Sequence, residues 1–516
     1  MSAFDVRDLL RAAGGGAAAR AIDASGFDTH AAGEVLPPAE IAVPARQAPA
    51  VSPVVLAGCV RLMEFALIAA VGFGMQRLQL GGDAPVGLRY AGAILGLAAV
   101  AAILFQVAGA YRIGAFRRFA KTTARLAAGW TLAFLVVAGV LVLAKVADHY
   151  SRLWLVGFYS AGFLVLVAER FALSRYIGAQ VRQGRFDRRT AIVGGGPLAE
   201  DLIRALEAQA DSGIRIVGLF DDRGDDRSST VVAGYPKLGS VTDLVAYARS
   251  TRLDLVVFTL PIAAEDRMLQ MLAKLWVLPI DIRLSAQATK LRLRPRAYSY
   301  LGDVPVLDVF DKPMADWDIV AKTVFDRVVG TLMLVALTPA MLGVALAVRL
   351  TSPGPVLFRQ KRYGFNNELI EVFKFRSMYV DQGDAAAATL VTRGDPRVTP
   401  VGRFIRKTSL DELPQLFNVV KGELSLVGPR PHALQAKAAN TLYDQVVDGY
   451  FARHKVKPGI TGWAQINGWR GETDTSEKLQ RRVEHDLYYI ENWSVLFDVR
   501  ILLATPVSLF TTKNAY

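Results

Sequence analysis

VVGTLMLVALTPAMLGVALAV, residues 328–348, is an apolar run broken by Thr338-Pro339. It is long enough to enter a hydrocarbon layer of ~30 Å, and whether it crosses decides on which side the last third of the chain folds. Both flanks are basic, with Lys322 and Arg327 before it and Arg349, Arg359, Lys361 and Arg362 after it. Lys and Arg collect on the cytoplasmic side, so both ends of the run are expected there. Pro339 deletes a backbone donor and clashes with the preceding turn, and the Thr338 hydroxyl can bond a freed carbonyl. The expectation is a re-entrant membrane helix that dips into one leaflet, bends at Thr338-Pro339 and returns.

Upstream, four apolar runs near 54–76, 89–110, 127–146 and 153–174 are each long enough to span a bilayer. Arg112, Arg117, Arg118, Lys121 and Arg125 follow the second run, and Arg182, Arg185, Arg188 and Arg189 follow the fourth. Both basic segments are expected in the cytoplasm, and so is the N-terminus. Residues 51–176 therefore read as a four-helix transmembrane bundle. Residues 1–50, rich in Ala, Gly and Pro without apolar periodicity, read as a disordered cytoplasmic tail with no cleavable signal.

A chain of 516 residues is too long for one core. Its 52% hydrophobic content suits partial membrane embedding, and its net charge of +13 suits partners that carry phosphate or an anionic leaflet. No nucleic-acid recognition motif is present, so nucleic acid is not an expected partner. The single cysteine, Cys59, excludes an intrachain disulfide and a thiolate metal cluster.

Residues 186–308 read as an α/β Rossmann-like domain. An apolar strand ends in Gly194-Gly195-Gly196-Pro197-Leu198-Ala199, a Gly-x-Gly-x-x-Ala turn, and a helix runs on to about Ala208. A second strand, 214–220, leads to Asp221-Asp222, where a dinucleotide fold places its ribose-binding acid, and 253–260 reads as a buried parallel strand. Such turns persist as scaffolds, so a structural or regulatory role is expected.

The chemistry lies in RFIRKTSLDELPQLFNVVKGELSLVGPRP, residues 403–431. Asp411 and Glu412 are neighbouring hard-oxygen ligands suited to a Mg²⁺ shared with substrate phosphates. One of them can instead attack phosphorus. Arg406 and Arg430 offer planar forks that match phosphate oxygens. The plain alternative is a Ser409-x-x-Glu412 capping box opening a helix that ends near Val420. Farther upstream, Lys374 and Arg376 would share one face of a strand.

Lys374-Phe375-Arg376-Ser377-Met378, the 403–431 block, and KVKPGITGWAQING at 455–468 together resemble one family. It is the polyprenyl-phosphate phosphoglycosyltransferases of bacterial envelope glycan synthesis, in their large monotopic type. The resemblance runs from about Asp316 to Tyr516 and implies an α/β catalytic domain over 316–516. It implies transfer of a sugar-1-phosphate, with glucose expected, from a UDP-sugar to undecaprenyl phosphate, with Mg²⁺ and release of UMP. This is the first membrane step of polysaccharide repeat-unit synthesis. By position, Asp411 matches the family's nucleophile and Glu412 its partner in metal binding. Arg430 matches the phosphate-holding arginine, and Lys374 and Arg406 match basic residues of the same site. An acidic residue near 484–486 is associated with the site in the family, whereas His485 replaces an aliphatic residue and is given no catalytic role. A Ser-Pro or similar pair marks the bend of the family's re-entrant helix, with Thr338-Pro339 here. A homodimer is compatible with this family type, though no sequence feature specifies it.

The resemblance also implies a multi-pass inner-membrane protein with its catalytic domain facing the cytoplasm, where Arg359, Lys361 and Arg362 meet the headgroup plane and 493–510 anchors at the interface. The fold expected is thus a membrane α-helical bundle, an α/β Rossmann-like domain, and an α/β catalytic domain with a re-entrant membrane helix. Two rival readings stand beside this one. A membrane NAD-dependent nucleotide-sugar dehydratase would need a Tyr-x-x-x-Lys pair, and no tyrosine here has a lysine four residues on. A non-enzymatic scaffold of polysaccharide assembly would leave the 403–431 block dispensable.

Overall fold

The computed structural model describes residues 51–80, 88–209, 213–224, 230–260, 265–286, 299–380, 395–432, 437–438, 441–442, 449–469 and 475–510. The tail over 1–50 lies outside the described residues. Two compact units divide at Arg188/Arg189.

The first unit holds α1 (Pro53–Leu80), α2 (Leu88–Val107), the short α3 (Ile113–Arg117), α4 (Phe119–Leu143) and α5 (Arg152–Arg182). The four long helices are each long and apolar enough to cross a membrane. Ile94, Phe105, Trp130 and Phe158 fill the interior, while Leu78, Val107, Leu143 and Leu164 point outward. Helices apolar on every side are solvated by lipid. Gly162 admits the Trp130 indole, since a Cβ there would lie 2.5 Å from the ring. Small residues allow this close approach between membrane helices. Inside, Glu64 pairs with Arg170 and accepts a hydrogen bond from Tyr111 Oη at 2.6 Å. Ionisable groups at such a depth persist when paired. Because α4 begins at Phe119, Lys121 and Arg125 lie in its opening turns rather than in a loop.

In the second unit, β1 (Arg188–Val193), α6 (Pro197–Glu207), β2 (Ile214–Phe220), β3 (Val231–Val232), β4 (Tyr235–Gly239), α7 (Val241–Ser250), β5 (Leu255–Phe258), α8 (Glu265–Leu275), β6 (Asp281–Ser285), β7 (Ser299–Leu301) and β8 (Val304–Phe310) form a mixed α/β layer. The strand order is β3-β4-β2-β1-β5-β6-β8-β7. Strand β5 pairs in parallel with β1 and β6, and β8 is antiparallel to β6 and β7. Ala191, Val193, Val256 and Phe258 are buried on one face and Ile192, Leu255 and Val257 on the other. Burial on both faces explains the unbroken apolar runs seen in the sequence.

Helix α9 (Trp317–Thr351) is a fifth helix of membrane-spanning length, with Pro339 inside it. Thr338 Oγ1 donates to Leu334 O at 2.7 Å. That carbonyl is the neighbour of the Val335 carbonyl that Pro339 deprives of a donor, so the threonine does not repair the expected gap. The hairpin β9 (Leu357–Tyr363) and β10 (Leu369–Phe375) follows, then α10 (Pro400–Lys407), α11 (Gln415–Lys421), β11 (Ser425–Val427), β12 (Gly459–Thr461), α12 (Trp463–Ile466), α13 (Ser476–Glu491) and α14 (Val495–Phe510). Val372, Leu416, Val419, Leu426 and Tyr489 form the main core here.

At the base of α9 the buried Asp498 carboxylate binds Lys322 Nζ at 2.6 Å and accepts from Tyr489 Oη at 2.8 Å. Lys322 also donates to Val427 O at 3.0 Å, tying α9, α14 and β11 together.

Candidate active site

Three local structures bring the basic and acidic residues together. The first is β10, whose position is locked by Asn418. The Asn418 amide accepts from Phe373 N at 3.0 Å and donates to Glu371 O at 2.7 Å. The next residue, Lys374, thereby delivers its Nζ to Glu412 Oε1 at 2.8 Å.

The second is the segment from α10 to α11. Thr399 Oγ1 caps α10 by accepting from Gly402 N at 2.8 Å, and Arg406 falls in the last turn. Ser409 then adopts φ 58°, a left-handed conformation uncommon for a non-glycine residue, and makes no capping bond. Residues Leu410–Glu412 form a 3-10 turn, and the α-helix starts at Gln415 behind Pro414. The alternative capping box is therefore absent, because the Glu412 side chain turns to Lys374 and Arg430 rather than back to a backbone N–H.

The third is the close pairing of β11 with β12. At Gly428 a Cβ would lie 2.6 Å from Lys457 O, so only glycine lets the chain pass directly into Pro429-Arg430-Pro431. From there Arg430 reaches Glu412 through Nη2 at 2.6 Å and Nη1 at 3.1 Å. Glu412 is buried and Asp411 beside it is half-buried. Burial opposes the Glu412 charge, but Arg430 and Lys374 together hold its carboxyl well below the usual range. Burial pushes Asp411 up to about 6 despite Lys374 and Arg406, with Glu412 adding to the rise. Among the described residues no hydrogen bond or ion pair engages the Asp411 carboxylate. Among the described residues, one carboxylate is thus committed to two cations and the other is available.

That donor set fits a magnesium ion, which takes one or two protein carboxylates and completes its shell with water and substrate phosphate. No group of three His, Cys, Asp or Glu side chains gathers among the described residues to offer a cage of protein ligands.

Of the residues singled out in the sequence, Lys374, Glu412 and Arg430 meet directly, and Arg406 and Asp411 join them through charge. Two others go elsewhere. Strand β10 ends at Phe375, and Arg376 turns to Ser352 O at 2.6 Å and Pro353 O at 2.9 Å, so it shares no face with Lys374. Arg362 does not point with Arg359 and Lys361. Strand alternation places it with the buried Gln360, whose Oε1 accepts its Nη2 at 2.6 Å, and its Nη1 donates to Pro431 O. A period-two reading of β9 would have separated it from its basic neighbours.

Arg453 was missed altogether. It is fully buried, pairs with Asp486 Oδ2 at 2.6 Å and donates to Arg430 O at 2.9 Å. His485, on α13, bonds back to Arg481 O at 2.8 Å.

His454, beside Arg453, is buried and bonded through Nδ1 to Asn367 Oδ1. Burial, reinforced by Arg453 and Arg249, brings it down to about 3. The folded chain therefore keeps this imidazole neutral while the unfolded chain protonates it below about 6.5. Stability is complete above that value and falls as pH drops toward 3, with a loss of about 2 kcal/mol at pH 5. His454→Gln should make the melting temperature markedly less sensitive to a shift from pH 7.5 to pH 5. An unchanged difference would exclude this imidazole as a source of acid sensitivity.

Residues 317–512 match the bacterial sugar transferase family and residues 106–286 the family described as CoA-binding domain. The chain is 38% identical over 424 residues to the UDP-glucose:undecaprenyl-phosphate glucose-1-phosphate transferase of Escherichia coli K12, covering 81% of this chain and 89% of that protein. It is 40% identical over 353 residues to the undecaprenyl-phosphate glucose phosphotransferase of Komagataeibacter xylinus, covering 68% and 64%. It is 30% identical over 350 residues to the UDP-galactose-lipid carrier transferase of Erwinia amylovora, covering 65% and 71%.

The turn after β1 is closed by side chains of the same domain. Asp221 Oδ2 accepts Gly195 N–H at 2.9 Å, Arg223 Nη2 donates to Gly195 O at 2.9 Å, and the two side chains pair at 2.6 Å. The backbone donor a diphosphate would seek, and the acid a ribose would seek, are engaged with each other.

Proposed function

Because the chain belongs to the bacterial sugar transferase family, we propose that it transfers glucose-1-phosphate from UDP-glucose to undecaprenyl phosphate, with release of UMP, at the cytoplasmic face of the inner membrane. The observation that carries this reading is the Asp411 carboxylate, which no hydrogen bond or ion pair engages among the described residues, beside Glu412, which is locked to Lys374 and Arg430.

An Asp411 oxygen attacks the β-phosphorus of UDP-glucose as the bond to the α-phosphate oxygen breaks, and UMP leaves. The product is an acyl phosphate joining Asp411 to glucose. An oxygen of undecaprenyl phosphate then attacks the same phosphorus, the Asp411–phosphorus bond breaks, and undecaprenyl diphosphate glucose leaves with the carboxylate restored. A nucleophile raised to about 6 is ionised at neutral pH and still basic enough to attack. Arg430 and Lys374 are placed to take up charge on the transferring phosphoryl group. Mg²⁺, held by Asp411 and Glu412, would neutralise the diphosphate and the departing UMP.

The lipid acceptor requires the site at headgroup level, and α9 supports that placement. Its first half packs through Gly330 on Val419, and its second half through Met341 and Val348 on Phe375 and Ile405. Thr338, Pro339 and Ala340 between them are exposed. Lys322 to Val348 would extend about 39 Å as a straight helix, more than the ~30 Å of hydrocarbon. A full crossing would need one domain on both sides, whereas a re-entrant helix bent at Thr338-Pro339 does not. Helix α14 buries Asp498 and Ile501 and exposes Leu496, Leu503 and Val507, as an interfacial anchor does. The mixed sheet reads as a Rossmann-like scaffold, and a homodimer is compatible with this arrangement.

The test is UMP release by the purified chain with undecaprenyl phosphate, Mg²⁺ and a panel of UDP-sugars. Release with UDP-glucose alone supports the reading; silence with every UDP-sugar overturns it. Asp221→Asn should leave turnover within about twofold while destabilising the sheet domain by roughly 1–3 kcal/mol, because it weakens the pair with Arg223. A large fall in turnover at unchanged stability would instead make the glycine turn part of the chemistry.

A further inference from the structure

We propose that Arg453 and Arg362 are positioning residues that fix the aim of Arg430, an inference that rests on the reading of Arg430 as the phosphate-holding arginine. Pro429 and Pro431 have ring-fixed φ and no N–H, and a residue preceding proline is confined to extended backbone. The freedom left to this segment lies in its peptide planes, and each of its three carbonyls is held. Pro429 O accepts from Gly459 N at 2.9 Å, Arg430 O from Arg453 Nη2 at 2.9 Å, and Pro431 O from Arg362 Nη1. The result is a guanidinium presented to Glu412 with both Nη atoms within 3.1 Å.

Arg453 suits this task because its planar fork serves several partners at once. While Nη2 holds the Arg430 carbonyl it also meets Asp486 at 2.6 Å, and Nη1 faces His432 Nδ1 at 2.6 Å and Tyr450 Oη at 3.1 Å. A lysine there keeps a charge for Asp486 but holds one point rather than a plane. Arg362 is braced from β9, its Nη2 and Nε donating to Gln360 Oε1 at 2.6 and 3.1 Å.

The 3-10 turn Tyr450–Lys455 that carries Arg453 is gripped in turn by the sheet domain. Lys455 lies over Trp276 at 5.2 Å, and Arg249 lies over Phe451 at 4.8 Å. The sheet domain thereby supports the active site through the backbone of Arg430 without contributing a side chain to it.

The experiment is a double-mutant cycle on the full-length chain, with UDP-glucose and undecaprenyl phosphate as substrates. Arg453→Lys and Arg362→Lys should each lower kcat about 10- to 100-fold, with KM for UDP-glucose moving less than about threefold. Combined with Arg430→Lys, neither should cost much beyond Arg430→Lys alone, because a clamp has no effect once its arginine is gone. Additive losses, or losses explained by a smaller folded fraction with kcat per folded molecule intact, would overturn the clamp. The Arg362 cycle keeps the test decisive if Arg453→Lys does not fold. Full turnover in Arg430→Lys would instead overturn the phosphate reading of Arg430, a distinct outcome from additivity.

Discussion

Asp411→Asn should lower UMP release by about four orders of magnitude or more, and it should do so in a protein at least as stable as the parent. The loss follows because the amide has no nucleophilic oxygen of comparable basicity, and the neighbouring Glu412 is not free to take over. Glu412 accepts bonds from Lys374 at 2.8 Å and Arg430 at 2.6 Å, which leaves it oriented away from attack. The stability follows because Asp411 is a half-buried carboxylate next to a second one, with no described hydrogen bond or ion pair of its own. Replacing it with an isosteric neutral group removes a like-charge neighbour and leaves no partner unsatisfied. Loss of function with gain of stability is the signature of a group held in an unfavourable state for its chemistry. UMP release near the parental rate in the folded variant would exclude the covalent route and leave direct attack by the lipid phosphate.

How much of this site the sequence revealed depends on the range over which each residue acts. Asp411, Glu412 and Arg430 lie in one continuous segment, and their residue types suit phosphate and metal, so linear reading finds them. Strand β5 was readable in the same way, because a strand buried on both faces leaves an unbroken apolar run. Arg453 and Arg362 act across 23 and 69 residues on backbone carbonyls, a relationship that leaves no pattern in the linear sequence. The capping-box alternative at Ser409 fails for a different reason. Ser-x-x-Glu is a sound signal for a helix start, but two cations delivered by β10 and by Pro429-Arg430-Pro431 outbid one backbone N–H for the Glu412 carboxylate.

Glu412→Gln should fail in the opposite manner, losing both turnover and stability. The amide can still accept from one cation, but it removes the anion that lets Lys374 and Arg430 sit side by side in a buried place. Burial already presses Lys374 below its usual value, and Glu412 is the first influence raising it again. Without that carboxylate the lysine tends toward its neutral form and the two cations repel, so the phosphate-binding arrangement opens. Breaking one side of a buried pair costs roughly 3–5 kcal/mol when fully enclosed. The partial exposure here, with side chains 16%, 12% and 24% accessible, brings the expectation to the lower end of that range. Turnover should fall about 100- to 1000-fold, and salt should weaken what remains because the exposed cations become screened. Glu412→Asp separates charge from reach: it keeps the anion but shortens the side chain by one methylene, so it should retain more stability than Glu412→Gln without regaining turnover. A Glu412→Gln enzyme with parental stability would show that Lys374 and Arg430 find other partners, and Glu412 would then act through the metal and substrate alone.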